Sequence, residues 1–187
     1  AKKHQRRPGV FLKNVLEGFR CGHLAIVGRP NVGKSTLLNR LIGQKISIVS
    51  RKAQTTRHRI TGVLTRPGQQ FIFVDTPGFQ TKHKNALNRI MNRGVTQALN
   101  DVDVILLVIE AGRFTEEDKR VLSLMPEDKK VLLVINKIDR LADKRRLLPF
   151  IAEVSKAFAF AEIVPVSAAS GSGGDALIDA AGRYLPE

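Results

Sequence analysis

Residues Gly28–Thr36 read GRPNVGKST and fit the pattern G-x-x-x-x-G-K-[ST] through Gly28, Gly33, Lys34 and Ser35. Glycines let backbone N–H groups turn inward around phosphate oxygens. A helix beginning at Gly33 would aim its N-terminal dipole at the same oxygens. Lys34 can reach the β- and γ-phosphates, and Ser35 can give a hydroxyl to Mg²⁺. Arg29, Pro30, Asn31, Val32 and Thr36 complete the loop. A second stretch, FIFVDTPG, ends in Asp75-Thr76-Pro77-Gly78. Asp75 can hold Mg²⁺ through water, and the Gly78 N–H can sense a γ-phosphate.

A third stretch, INKID, carries Asn136, Lys137, Ile138 and Asp139. The Asp139 carboxylate can accept from guanine N1–H and the 2-amino group. Adenine offers neither, so against adenine the acceptor would stay unpaired, which is a strong basis for discrimination. Asn136 can either bond the base edge or tie this loop to the phosphate loop. The alkyl stem of Lys137 can lie over the base. The fourth stretch, VSAAS, holds Ser167, Ala168 and Ala169, and its N–H groups, chiefly that of Ala168, can meet guanine O6. The phosphate loop implies a nucleotide, and Asp139 makes it GTP or GDP.

Such residues need strands to aim them. HLAIVG, RHRITGVLTR, QQFIFVD, DVILLVIE, KVLLVIN and AEIVPVS read as six strands, and Pro67-Gly68 joins the second and third as a hairpin. Helices are expected at KSTLLNRLIG, NALNRIMNRGVTQALN, TEEDKRVLSLM, DKRRLLPFIAEVSKAF and GGDALIDAAGRYL. The fourth is expected to break or kink near Pro149. Continuous apolar strands alternating with helices predict an α/β fold. It would have three layers: a mostly parallel six-stranded sheet with one antiparallel strand, and helices on both faces. In such sheets ligands bind beyond the carboxyl ends of strands, where all four motifs fall.

Composition narrows the partners. Hydrophobic residues make up 43% of 187, enough for one core of good size. No apolar run is long enough to span a membrane, and the charged start AKKHQRRPGV is not a secretory signal. Cys21 has no second cysteine to pair with, which fits a reducing compartment. The four histidines are scattered and lack metal-ligand spacing. The net charge of +14 favours polyanions, namely RNA, DNA or an anionic membrane. Six basic residues and no acidic one lie from Lys45 to Arg66, and six more with only Glu17 lie in the first 22 residues. Residues 1–21 read as a basic extension, with 22–187 as the body.

In this order the four motifs resemble a Ras-like GTPase over residues 23–185. GRPNVGKST, DTPGF and a TTR segment are similar to the TrmE–Era–EngA group. Gln54, Thr55, Thr56, Arg57 and His58, QTTRH, resemble its Era-type members. The resemblance implies a P-loop GTPase fold and a switch threonine at Thr55 or Thr56. Thr56 lies nearer the following strand and would join Ser35 and Asp75 at Mg²⁺. Ras-like enzymes place a water-orienting glutamine after D-x-x-G. Here that residue is Phe79, so intrinsic turnover is expected to be slow. The resemblance further implies that Asn31 binds K⁺, which would stabilise charge on the β–γ bridge. Lys34, Thr56, Asn31 and Gly78 are thus the residues expected to act in catalysis.

Full-length Era-type members carry a C-terminal KH domain that binds small-subunit ribosomal RNA and acts in ribosome assembly. GSGG at Gly171–Gly174 lacks KH helices around it and reads as linker. The resemblance therefore implies a cytoplasmic GTPase that partners ribosomal RNA and the 30S particle through a domain beyond this chain. Peripheral contact with an anionic membrane at the inner face of the cell membrane is allowed by the basic clusters, and DNA is not expected. A related GTPase of the same group, acting in tRNA modification or membrane transport, is the alternative.

Overall fold

The computed structural model describes residues 18–43, 59–76 and 93–187. Six strands form one sheet: β1 (Arg20–Val27), β2 (Ile60–Arg66), β3 (Gln69–Val74), β4 (Val104–Glu110), β5 (Lys130–Asn136) and β6 (Glu162–Pro165). Their order is β2-β3-β1-β4-β5-β6. Only the β2–β3 pair is antiparallel, joined by the Pro67-Gly68 turn. The other neighbours run parallel, with β4 and β5 paired from Val104↔Lys130 to Glu110↔Asn136. The expected sheet is the observed one. β1 starts at Arg20, so two residues assigned to the basic extension belong to the sheet.

Side chains alternate across β1. Leu24 and Ile26 face one core with Phe71, Phe73, Leu106 and Val134. Ala25 and Val27 face the other with Ile105, Leu107 and Leu133. Helices α1 (Lys34–Ile42) and α5 (Gly174–Gly182) cover the first face through Leu37, Leu41, Leu177 and Ile178. Helices α2 (Arg93–Asn100), α3 (Glu116–Ser123) and α4 (Leu147–Ser155) cover the second through Leu99, Val121 and Val154. β4 is buried over six consecutive residues, as its unbroken apolar run requires.

Two helix ends differ from expectation. α4 is not broken by Pro149, which is its third residue. The first-turn N–H groups of a helix have no intrahelical partner, so proline costs nothing there. A separate 3₁₀ turn, Lys144–Arg146, precedes it. GSGG is not a linker either. Gly171 N–H donates to Ser167 O at 2.8 Å, Ser167 N–H donates to Ser172 O at 2.9 Å, and left-handed Gly173 caps α5. The glycines close the last loop and start the last helix.

Candidate functional site

The site is built at the carboxyl end of the sheet. β1 leads into the phosphate loop, and its neighbour β3 ends at Val74, just before Asp75. On the other side β4 ends at Glu110 and β5 at Asn136. The loop turns into α1 at Gly33, which is left-handed at φ 98°. A Cβ there would collide with the Asn136 amide, so glycine is required for the two loops to meet.

Lys34 Nζ donates to the carbonyls of Gly28 and Arg29, both at 2.8 Å, closing the loop on itself. Burial and then the Arg29 charge push the Lys34 pKa down to about 8, against a smaller upward pull from Asp118. Ser35 and Thr36 are exposed in the first turn of α1. A cavity of about 160 Å³ separates α1 from β1 and β3, with Lys34, Ser35 and Thr61 in its lining.

Asn136 performs the second of the two jobs expected of it. Its Nδ2 donates to Val32 O at 2.9 Å, and its Oδ1 accepts from Ala168 N–H at 3.0 Å. One buried amide thus ties the phosphate loop to both base loops. The Ala168 N–H, expected to meet guanine O6, is engaged by Asn136 instead. Left-handed Lys137 crosses the phosphate loop, its Nζ donating to Asn31 O at 2.6 Å. Asp139 Oδ1 accepts from Ser167 Oγ at 2.8 Å, which fixes the carboxylate expected to read the base. Ile138 N–H donates to Val166 O at 3.3 Å.

Three expected site residues prove to brace the site from within. Thr76 is buried, and its hydroxyl donates to Ile26 O at 3.2 Å, so it holds β3 to β1. Val32 is a core residue at 0% exposure. Arg29 points inward to Glu110 at 3.3 Å and to Asp118 at 3.1 Å, the latter an ion pair without hydrogen-bond alignment. Asp118 also closes the α3 capping box with Thr115. Glu110 lies 3.4 Å from Lys137 and 3.2 Å from Arg113. Burial pushes its pKa up, but the charges and hydrogen bonds of Lys137 and Arg29, with Arg113, outweigh this and hold it below the usual glutamate value. Glu110 and Asp118 were not foreseen, although each follows a legible signal, a strand end and a capping box.

Asn31 is left-handed at φ 68° and exposed, and Pro30 lies beside it, half-exposed. Gln54, Thr55, Thr56, Arg57, His58, Pro77, Gly78 and Phe79 lie outside the described residues. Ser35 and half-buried Asp75 follow adjacent strands and offer a hydroxyl and a carboxylate. These are hard oxygens of the kind Mg²⁺ takes, and two of them suffice when substrate phosphate and water complete its shell. No described cluster of three or more His, Cys, Asp and Glu could hold a metal alone. No described helix is long and apolar enough to cross a membrane.

Comparison with known proteins agrees with this geometry. A family model described as 50S ribosome-binding GTPase matches residues 23–137. The chain is 60% identical over 170 residues to GTPase Era of Nitrosomonas eutropha, covering 91% of this chain and 57% of that protein. It is 58% identical over 169 residues to GTPase Era of Bordetella pertussis, again covering 57% of the relative. The chain therefore spans little more than half the length of these relatives. Among solved structures it is similar to Era in complex with MgGDPNP and nucleotides 1506–1542 of 16S ribosomal RNA, at TM-score 0.72 and 43% identity, covering 90% of this chain and 58% of that one. Aquifex aeolicus Era bound to GDP·AlF4⁻ matches at TM-score 0.71 and 43% identity, with the same coverage.

Proposed function

The chain belongs to the 50S ribosome-binding GTPase family, with a domain of the Era type, and on that premise we propose that it is a GTP-hydrolysing switch coupled to small-subunit ribosomal RNA. The observation that carries the nucleotide reading is the Asn136 amide, bonded to Val32 and Ala168. It sets the base-reading Asp139 and the phosphate-binding Lys34 at opposite ends of one fixed cradle. A guanine nucleotide fits the cradle by its two chemistries, an acceptor pair for N1–H and the 2-amino group and a lysine with a helix N-terminus for phosphate.

In this reading Lys34 exchanges its loop carbonyls for β- and γ-phosphate oxygens. Phosphate charge would reverse the pressure that burial puts on its ammonium. Ser35 and Asp75, with Thr56, would hold Mg²⁺, which supplies neutralisation of phosphate charge. Gly78 would bond the γ-phosphate. Phe79 cannot orient water by hydrogen bonding, so turnover is slow without further help. The Asn31 amide would supply that help by binding K⁺. RNA coupling rests on the Era–16S ribosomal RNA complex and on the net charge of +14. The main RNA contacts are assigned to a KH domain beyond Glu187. The setting is the cytoplasm, with peripheral membrane contact through the basic clusters.

The test of the nucleotide reading is a binding titration with GDP, GTP and ATP in Mg²⁺. GDP and GTP should bind and ATP should not. Asp139→Asn should shift preference toward xanthine nucleotides, whose 2-oxo group needs a donor. Unchanged guanine affinity in that variant would show that Asp139 does not read the base. The K⁺ reading is tested by turnover in K⁺ and Na⁺ at equal ionic strength, where equal rates would remove it.

A further inference from the structure

Arg40 sits in the last turn of α1, six residues beyond the phosphate-loop lysine. Its guanidinium leaves the helix and grips the last base loop. Nε donates to Ala168 O at 3.0 Å, and Nη2 donates to Ala169 O. The same group packs on the backbone of Gly171, where the position of a Cβ would lie 3.6 Å from Cζ. An arginine fork on two successive carbonyls fixes two successive peptide planes.

The planes concerned are the ones that matter for a base. In a trans peptide the C=O and the following N–H point in opposite directions. Holding Ala168 O therefore aims the Ala169 N–H, and holding Ala169 O aims the Ser170 N–H. The Ala168 N–H is engaged by Asn136 Oδ1, and the Ser170 N–H donates to Ser167 Oγ at 3.3 Å. That leaves the Ala169 N–H as the loop donor for guanine O6, turned away from the arginine that holds its plane.

We propose that Arg40 is a positioning residue for guanine recognition: it sets the Ala169 N–H that meets O6, and through α1 it links the phosphate end of the cradle to the base end. The proposal rests on the guanine reading above and adds to it a residue that does not touch the nucleotide. α1 is then a rigid spacer with Lys34 and Ser35 at one end and the base loop at the other.

The experiment compares GDP with 6-thio-GDP in the parent chain, Arg40→Ala and Arg40→Gln. The thio analogue keeps N1–H and the 2-amino group but offers sulfur, a weak acceptor, in place of O6. The parent should prefer GDP by about three- to tenfold, the scale of one hydrogen bond. Both variants should lose most of that preference and release GDP faster, while their Tm stays within a few degrees of the parent value. General loosening of the fold would weaken both ligands alike and leave the ratio intact. An intact ratio in both variants overturns the proposal, as does a parent that does not discriminate. If the parent binds neither ligand, it is the guanine reading that fails.

Discussion

Asn31 has two physical reasons to be an asparagine. Its backbone is left-handed at φ 68°, a region that asparagine tolerates better than most residues. Its amide oxygen is also a hard ligand of the kind K⁺ takes. Glycine satisfies the first requirement and not the second, and alanine satisfies neither. On the proposed K⁺ role, Asn31→Gly should bind GDP as the parent does and lose any K⁺ advantage in turnover. Asn31→Ala should lose the same advantage and also bind more weakly, since the left-handed backbone then costs about 1 kcal/mol. Turnover in K⁺ and Na⁺ with a GDP titration for each variant separates the two. A K⁺ advantage that survives Asn31→Gly would show that the amide is not the ligand, leaving backbone conformation as the reason for asparagine. Residue chemistry of this kind is legible in sequence when a short motif marks the position, as G-x-x-x-x-G-K-[ST] marks Lys34 and INKID marks Asp139. It is not legible when a distant partner decides. Arg29 reads as a loop cation until Asp118 and Glu110 turn it inward, and nothing beside Ala168 in the chain announces that its N–H donates to Asn136.

At the scale of elements, strand ends converge because parallel neighbours present their carboxyl ends together, and short loops then meet across them. β4 supplies Glu110 to this meeting, between Arg29 of the phosphate loop and Lys137 of the base loop. The carboxylate is held below the usual glutamate value, because burial, which raises it, is outweighed by those cations together with Arg113. A carboxyl with a lowered folded pKa contributes stability that is present above its unfolded value and lost as pH falls through the folded one. Glu110→Gln should therefore cost about 2 kcal/mol in urea unfolding at pH 7, the scale of a charge-assisted contact whose partners stay behind. The gap to the parent should close as pH drops below the usual glutamate range. A gap of constant size across that range would show that another group carries the titration. The elements themselves were legible because their signals are local: unbroken apolar runs for β4 and β5, a Thr cap with an acidic first turn for α3, and Pro-Gly for the hairpin. Pro149 misled because its effect depends on where the helix starts, which the preceding 3₁₀ turn sets.

At the scale of the whole molecule, the question is what a net charge of +14 does on a domain whose nucleotide site is already explained. A solvated basic face and an RNA footprint differ in one measurable way. Neutralising phosphates releases counterions, so log Kobs falls linearly with log salt, by about 0.7 per phosphate on a single strand. Of the six basic residues from Lys45 to Arg66, Arg66 is engaged with Asp179 at 2.8 Å, and the other five are the ones proposed to meet phosphate. If all five act, the slope for single-stranded ribosomal RNA should lie near −3 to −4. Replacing Lys45, Arg51 and Lys52 together by Gln should flatten it by about 2, while Arg66→Gln should leave it nearly unchanged. Binding measured by fluorescence anisotropy from 50 to 200 mM salt reads both. A flat dependence, or no binding at the low end, would show that the charge of this domain serves solubility and that RNA contact belongs to another part of the protein.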